Sequence, residues 1–149
     1  MQKNKTYFVK TEDEDAFKFE KLAYQTGWWK NIKRAEYAAD YDYEGTLIDN
    51  RHTIIELKTR EMNADTYETY FIEADKLADC YIHSTMTNST PLYINFFNDG
   101  QTLIWNLSAL ETAPVKEKVR RANKGFDTME VNNVYKLAAR DAYKYQLII

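Results

Sequence analysis

The chain has 149 residues, 44% hydrophobic and 29% charged, with 20 Lys and Arg against 23 Asp and Glu for a net charge of −3. That is one domain's length with enough apolar side chains for a core; it excludes a disordered chain, and no apolar run approaches the ~18 residues of a membrane span. It also excludes a protein that sheathes long stretches of DNA, since such binding is driven by neutralising phosphates and needs an overall basic chain, so any nucleic-acid surface here is local.

Cys80 is the only cysteine, so no internal disulfide framework exists and a reducing cytoplasm is the expected compartment. The basic start, Met1-Gln2-Lys3-Asn4-Lys5, is followed by no apolar stretch, and no signal peptide is expected. Four Gly and two Pro are too few for flexible linkers, and no internal repeat is present.

In chain order, the acidic run Glu12-Asp13-Glu14-Asp15 predicts a helix start, because carboxylates favour the positive end of the helix dipole. Phe17, Glu20, Lys21 and Tyr24 then recur at helical spacing up to a stop at Gly27, with Trp28 and Trp29 packing the exit. Residues 34–39 lead into a strand over 41–48, Asp49-Asn50 makes a turn, and His52–Thr59 is the clearest strand of the chain. Asp65 with Glu68 reads as a capping box for a helix whose apolar stripe is Tyr67, Tyr70, Phe71, Ala74, Leu77, Ala78 and Tyr81. Leu92–Phe97 and Thr102–Leu107 are strands joined at Asn98-Asp99-Gly100-Gln101, a hairpin turn by its Asp-Gly pair. Beyond residue 112, Val115–Arg121 alternates like a strand and Val134–Leu137 suggests another. A mixed α/β domain without internal boundary is expected, with a core over about 13–108 and a C-terminal extension over 109–149.

The chemistry concentrates in the His52–Thr59 strand. Glu56 and Lys58 are two residues apart and point to one face, while Ile55 and Leu57 point to the other. A carboxylate and an ammonium framed by aliphatic residues are costly unless they pair or reach a solvated edge. If the preceding strand is an antiparallel neighbour, Asp42 lies beside Glu56 near one end of the sheet. Two converging carboxylates make an oxygen-rich site for a hard cation such as Mg²⁺ or Mn²⁺, which stabilises charge on phosphate oxygens and lowers the pKa of bound water. A lysine beside it could orient or deprotonate that water and offset negative charge in the transition state.

Asp42 in Asp-Tyr-Glu-Gly, then Glu56-Leu57-Lys58 in Ile-Ile-Glu-Leu-Lys-Thr-Arg, and the later segment Phe71-Ile72-Glu73-Ala74-Asp75-Lys76-Leu77 together resemble the PD-(D/E)xK nuclease superfamily. The family fold is a central mixed β-sheet flanked by helices, a restriction-endonuclease-like core, and many members cut DNA using Mg²⁺. The resemblance implies Asp42, Glu56 and the main-chain carbonyl of Leu57 as metal ligands and Lys58 as the catalytic lysine. It further implies Lys76 as a helix residue near the site and Glu20 as a supporting carboxylate. No Pro precedes the Asp, and Asp40, which shares a strand face with Asp42, competes for its role.

Lys116, Lys118 and Arg120, with Arg121 and Lys124 nearby, form a basic cluster; in a strand the first three share one face, suited either to a phosphate backbone or to guarding a sheet edge. His52 and His83 lack metal-ligand spacing, Cys80 has no activating pattern, and no Gly-rich phosphate loop occurs. Trp28, Trp29 and Trp105 suit base stacking or the core. The expected function is Mg²⁺-dependent (or Mn²⁺-dependent) hydrolysis of DNA phosphodiesters by a small structure-selective enzyme of the resolvase or phage type. A symmetric homodimer would let it cut both strands. The competing expectation keeps the fold without the chemistry, as a nucleic-acid-binding or assembly subunit, motivated by the net charge of −3; a helper domain for RNA is a third.

Overall fold

In the computed structural model, residues 2–36, 39–122 and 129–149 are described, with only the backbone described for 2–10, 120–122 and 129–131. A long helix α1 (Gln2–Thr26) is followed by strands β1 (Trp29–Arg34), β2 (Tyr43–Leu47), β3 (His52–Arg60) and β4 (Thr69–Glu73), then helix α2 (Ala74–Thr87). Strands β5 (Thr90–Phe97), β6 (Gln101–Asn106), β7 (Val115–Ala122) and β8 (Met129–Ala138), a 3-10 turn (Ala139–Asp141) and β9 (Tyr143–Gln146) complete the chain. Six strands form a mixed sheet in the order β1-β2-β3-β5-β6-β9, and β4-β8-β7 form a second, smaller sheet. In the larger sheet β3 and β5 run parallel and the other neighbours antiparallel. Among the described residues no helix is long and apolar enough to cross a membrane.

Both faces of the main sheet are covered, which is why β3 and β5 are buried along most of their length. On one face Ala16, Phe19 and Leu22 of α1 pack against Trp29, Tyr43, Ile55, Leu57, Ile94 and Phe96. On the other, Leu77 and Cys80 of α2, with Tyr70 and Ile72 of β4 and Leu137 of β8, cover Tyr93, Phe97, Leu103 and Trp105. Trp29 and Trp105 are core residues whose indole N–H groups donate to Thr53 Oγ1 at 3.1 Å and to the Ala138 carbonyl at 2.9 Å. At Gly45 a Cβ would stand 2.7 Å from the Asn31 carbonyl oxygen, so the absent side chain lets β1 approach β2.

Three expectations change. α1 begins at Gln2, so Glu12–Asp15 lie inside the helix and do not cap it, and its buried stripe is Ala16, Phe19 and Leu22, one step around from Phe17 and Tyr24, which are exposed. The expected helix over 67–81 is a strand followed by a helix: Tyr70 and Ile72 are buried, while Thr69, Phe71 and Glu73 between them are more exposed. Thr-Tyr-Phe-Ile is a β-favouring run, and pairing with β8 from Thr69↔Ala138 to Glu73↔Val134 overrides the helical spacing. Glu73, not Asp65, precedes α2, in extended backbone without a side-chain cap. Finally, residues after 108 are built into both sheets, through β7 and β8 in one and β9 at the edge of the other, and β9 had no forecast.

Candidate active site

Antiparallel pairing of β2 with β3 sets Tyr43 opposite Ile55, so the next residue outward, Asp42, arrives beside Glu56. The Asp42 N–H donates to the Ile55 carbonyl at 2.9 Å, and Asp42 Oδ2 accepts the Leu57 N–H at 2.7 Å. The Asp42 main chain is therefore tied to the residue before Glu56 and its carboxylate to the residue after it.

Ile55 and Leu57 point into the α1 core, which turns Glu56 to the opposite face, towards α2. There Glu56 is 4% exposed, and Lys76 Nζ from the first turn of α2 donates to its Oε2 at 3.0 Å. The lysine side chain is half-exposed overall, with its ammonium turned in to the buried Glu56 carboxylate.

Electrostatics follow from this geometry. Burial, then the neighbouring Asp42 charge, push the Glu56 carboxyl up to about 8 although Lys76 pulls the other way. Burial also raises Asp42, opposed by the Leu57 N–H and Lys76. Lys76, despite its partial burial, is held charged by Glu56 and Asp42. Three charges share the pocket, two negative and one positive, and the surplus negative charge binds protons tightly.

Two further carboxylates, both from α1, act on Asp42 through their charges. Asp15 is buried; Thr59 Oγ1 donates to its Oδ1 at 2.5 Å, and Lys18 Nζ donates to Thr59 Oγ1 at 3.2 Å. Burial raises its carboxyl, and the charges of Asp42 and Lys58 reach it. Glu12, raised likewise by burial, joins Arg34, Tyr41, Asp42 and Leu57 around a small cleft. Glu12 and Asp15 continue, one turn apart, the stripe that Ala16, Phe19 and Leu22 bury, a pattern visible in the sequence once the correct helix face is chosen.

The other expected residues fall as follows. Lys58, partly buried on β3, is opposite Asn95 of β5. Glu20 is exposed and accepts a hydrogen bond from the Tyr43 hydroxyl; the α1 carboxylate whose field reaches Asp42 and Glu56 is Asp15. Asp40 does not reach Leu57: its Oδ2 lies 2.9 Å from His83 Nε2 on α2. Lys116 and Lys118 are exposed on the edge strand β7, opposite Tyr135 and Asn133, with Glu117 between them paired to Lys136 at 2.6 Å. The side chains of Arg120 and Arg121, and all of Lys124, lie outside the described residues.

As a donor set the site suits a hard cation. One oxygen of each carboxylate is engaged, Asp42 Oδ2 by Leu57 and Glu56 Oε2 by Lys76. Among the described residues no three Asp, Glu, His or Cys side chains form a ready-made ligand cluster. Two carboxylates completed by main chain, water and phosphate is the arrangement Mg²⁺ favours.

No protein-family profile and no curated protein sequence matches the chain. Among solved structures it is similar to Archaeoglobus fulgidus Hjc, a Holliday junction resolvase from an archaeal hyperthermophile, with a TM-score of 0.55 and 11% identity over 84% of each chain. The chain thus shares the fold of that resolvase, a mixed sheet with helices packed on its faces.

Proposed function

We propose that the protein is a divalent-cation-dependent nuclease that hydrolyses DNA phosphodiesters at branched structures. The observation that carries this reading is the pair Asp42 and Glu56: a half-buried and a buried carboxylate set side by side by the β2–β3 pairing, with the Lys76 ammonium on Glu56 and more negative charge than their surroundings neutralise. Such a pair is unfavourable as mere scaffolding and favourable as a receptor for Mg²⁺ or Mn²⁺. The similarity of fold to a Holliday junction resolvase supports a junction as substrate.

Asp42, Glu56 and the Leu57 carbonyl would hold the cation, which when bound supplies charge stabilisation at the phosphate and a more acidic water. The chain's own residues do the rest. The Leu57 N–H fixes the Asp42 carboxylate in one orientation. Lys76 holds Glu56 by its Oε2 and keeps one positive charge beside the carboxylates. Lys58, next along the strand, orients the attacking water, and Asp15 sets the field around it. Lys116 and Lys118, exposed on β7, grip the phosphate backbone. A symmetric pair of chains would cut the two strands of a junction.

The test is cleavage of a four-way junction by purified protein in Mg²⁺ or Mn²⁺, against linear duplex, single-stranded DNA and RNA of the same sequence. Junction cleavage lost in Lys58→Ala and Glu56→Gln, with both variants folded, is the expected result. Absence of both cleavage and cation binding in the natural protein would leave a non-catalytic nucleic-acid-binding or assembly subunit, and cleavage confined to RNA would transfer the chemistry to another substrate.

A further inference from the structure

On the footing that Asp42 and Glu56 are the cation ligands, we propose that His83 is a positioning residue for that site, and that α2 splints its two carboxylates at their working separation. Lys76 and His83 lie seven residues apart on α2, two helical turns, and so share one face. Lys76 Nζ holds Glu56 at 3.0 Å, and His83 Nε2 meets Asp40 Oδ2 at 2.9 Å. The His83 ring also packs edge-on against Tyr41, with centroids 5.5 Å apart. One helix therefore touches the strand that carries Glu56 and the two residues immediately before Asp42.

The helix is itself rigidly seated. Leu77, Cys80 and Ser84 are buried on its inner side, and Asn88 ends it in left-handed backbone with its N–H bonded to the Ser84 carbonyl. The Asp42 end needs such support. Between β1 and β2 the chain leaves the sheet after Arg34 and returns at Tyr43, and what fixes Asp42 from behind is the Ala35 N–H on its carbonyl at 2.9 Å. Asp40 and Tyr41 are the last residues of that excursion, and His83 is the group on α2 that holds both. A histidine Nε2–H donates to a carboxylate whether the ring is neutral or protonated, so the splint needs no change of charge. The same contact accounts for the division of labour between the two neighbouring aspartates: Asp40 faces the helix and Asp42 faces the Leu57 N–H.

Mn²⁺ binding to the full chain, followed by the paramagnetic resonance signal of free Mn²⁺ without DNA, tests this. His83→Ala should weaken Mn²⁺ binding about 10-fold, the lower end of the range for residues that orient metal ligands indirectly. His83→Gln, which keeps a donor, should restore most of it. Asp40→Ala should match His83→Ala, and the double variant should be no weaker than either single one, because the two residues act through one bond. Ile82→Ala, on the exposed side of α2, should bind as the natural protein does. Equal affinity for His83→Ala and the natural protein, or losses that add in the double variant, would overturn the splint. Failure of the natural protein to bind Mn²⁺ at all, or binding that survives Asp42→Asn with Glu56→Gln, would instead overturn the ligand assignment on which it stands.

Discussion

Glu56→Gln should make the metal-free protein more stable in alkaline solution and leave it almost unchanged in acid. Folded Glu56 holds its proton up to about pH 8, whereas in the unfolded chain it loses it near 4.5. The native state thus binds the proton more tightly, so this stabilisation is complete below about pH 4.5 and is lost as pH rises through 8. Each pKa unit corresponds to about 1.4 kcal/mol, so the loss is on the order of 3–5 kcal/mol above pH 8. Asp42 and Asp15, raised by the same burial, push in the same direction. Gln reproduces the shape of the protonated carboxyl and cannot ionise. For a chain of this length the variant should melt roughly 5–15 °C above the natural protein at pH 9 and within a few degrees of it at pH 5. Thermal and urea unfolding in EDTA at pH 5, 7 and 9 measures this, and Mg²⁺ should close the gap at pH 9 by stabilising the natural protein alone. If Glu56→Gln is destabilised equally at every pH, Glu56 serves as the charged half of a structural ion pair with Lys76 and the electrostatic account of the site is wrong.

Three other outcomes are expected. Thr59→Val removes the hydroxyl that Asp15 accepts from and that Lys18 donates to; unfolding should show a loss of about 1–3 kcal/mol, larger at pH 8 than at pH 5 because the stranded group is a raised carboxyl. Gly45→Ala places a methyl 2.7 Å from the Asn31 carbonyl and should cost about 1–3 kcal/mol in the same assay, from strain at the β1–β2 contact. Replacing Lys116 and Lys118 by Gln should weaken junction binding uniformly across sequences and lower the slope of log affinity against log salt by about 1–2, read by fluorescence anisotropy at several salt concentrations with Ca²⁺ in place of Mg²⁺.

What could be read from the sequence was what local pattern alone determines. His52–Arg60 forms β3 because its alternation and β-branched residues permit little else, and the Asp-Gly turn fixes the β5–β6 hairpin, where Gly100 takes a positive φ of 79°. The approach of Asp42 to Glu56 also followed, because antiparallel neighbours joined by a short turn leave few registers. What failed was settled at long range. Thr69–Glu73 has a helix-compatible spacing and becomes a strand only because β8 pairs with it. Phe17 and Tyr24 have a spacing that suits a buried stripe, and only the packing of Phe19 and Leu22 on the sheet shows which face of α1 turns inward and carries Asp15 to Thr59. His83 carried no metal spacing, and its contact with Asp40 depends on how α2 lies across the sheet.

The route from β3 to its parallel neighbour β5 passes through β4, and β4 finds its ladder partner in β8, a strand made much later in the chain. The crossover is therefore completed only by a segment far downstream, a contact of long sequence separation whose closure costs more entropy than a local one. Lys76 sits in the first turn after β4. Its ammonium is thus seated on Glu56 by way of a strand whose ladder partner is made late in the chain, so a change that weakens β8 should be felt at Glu56 as well.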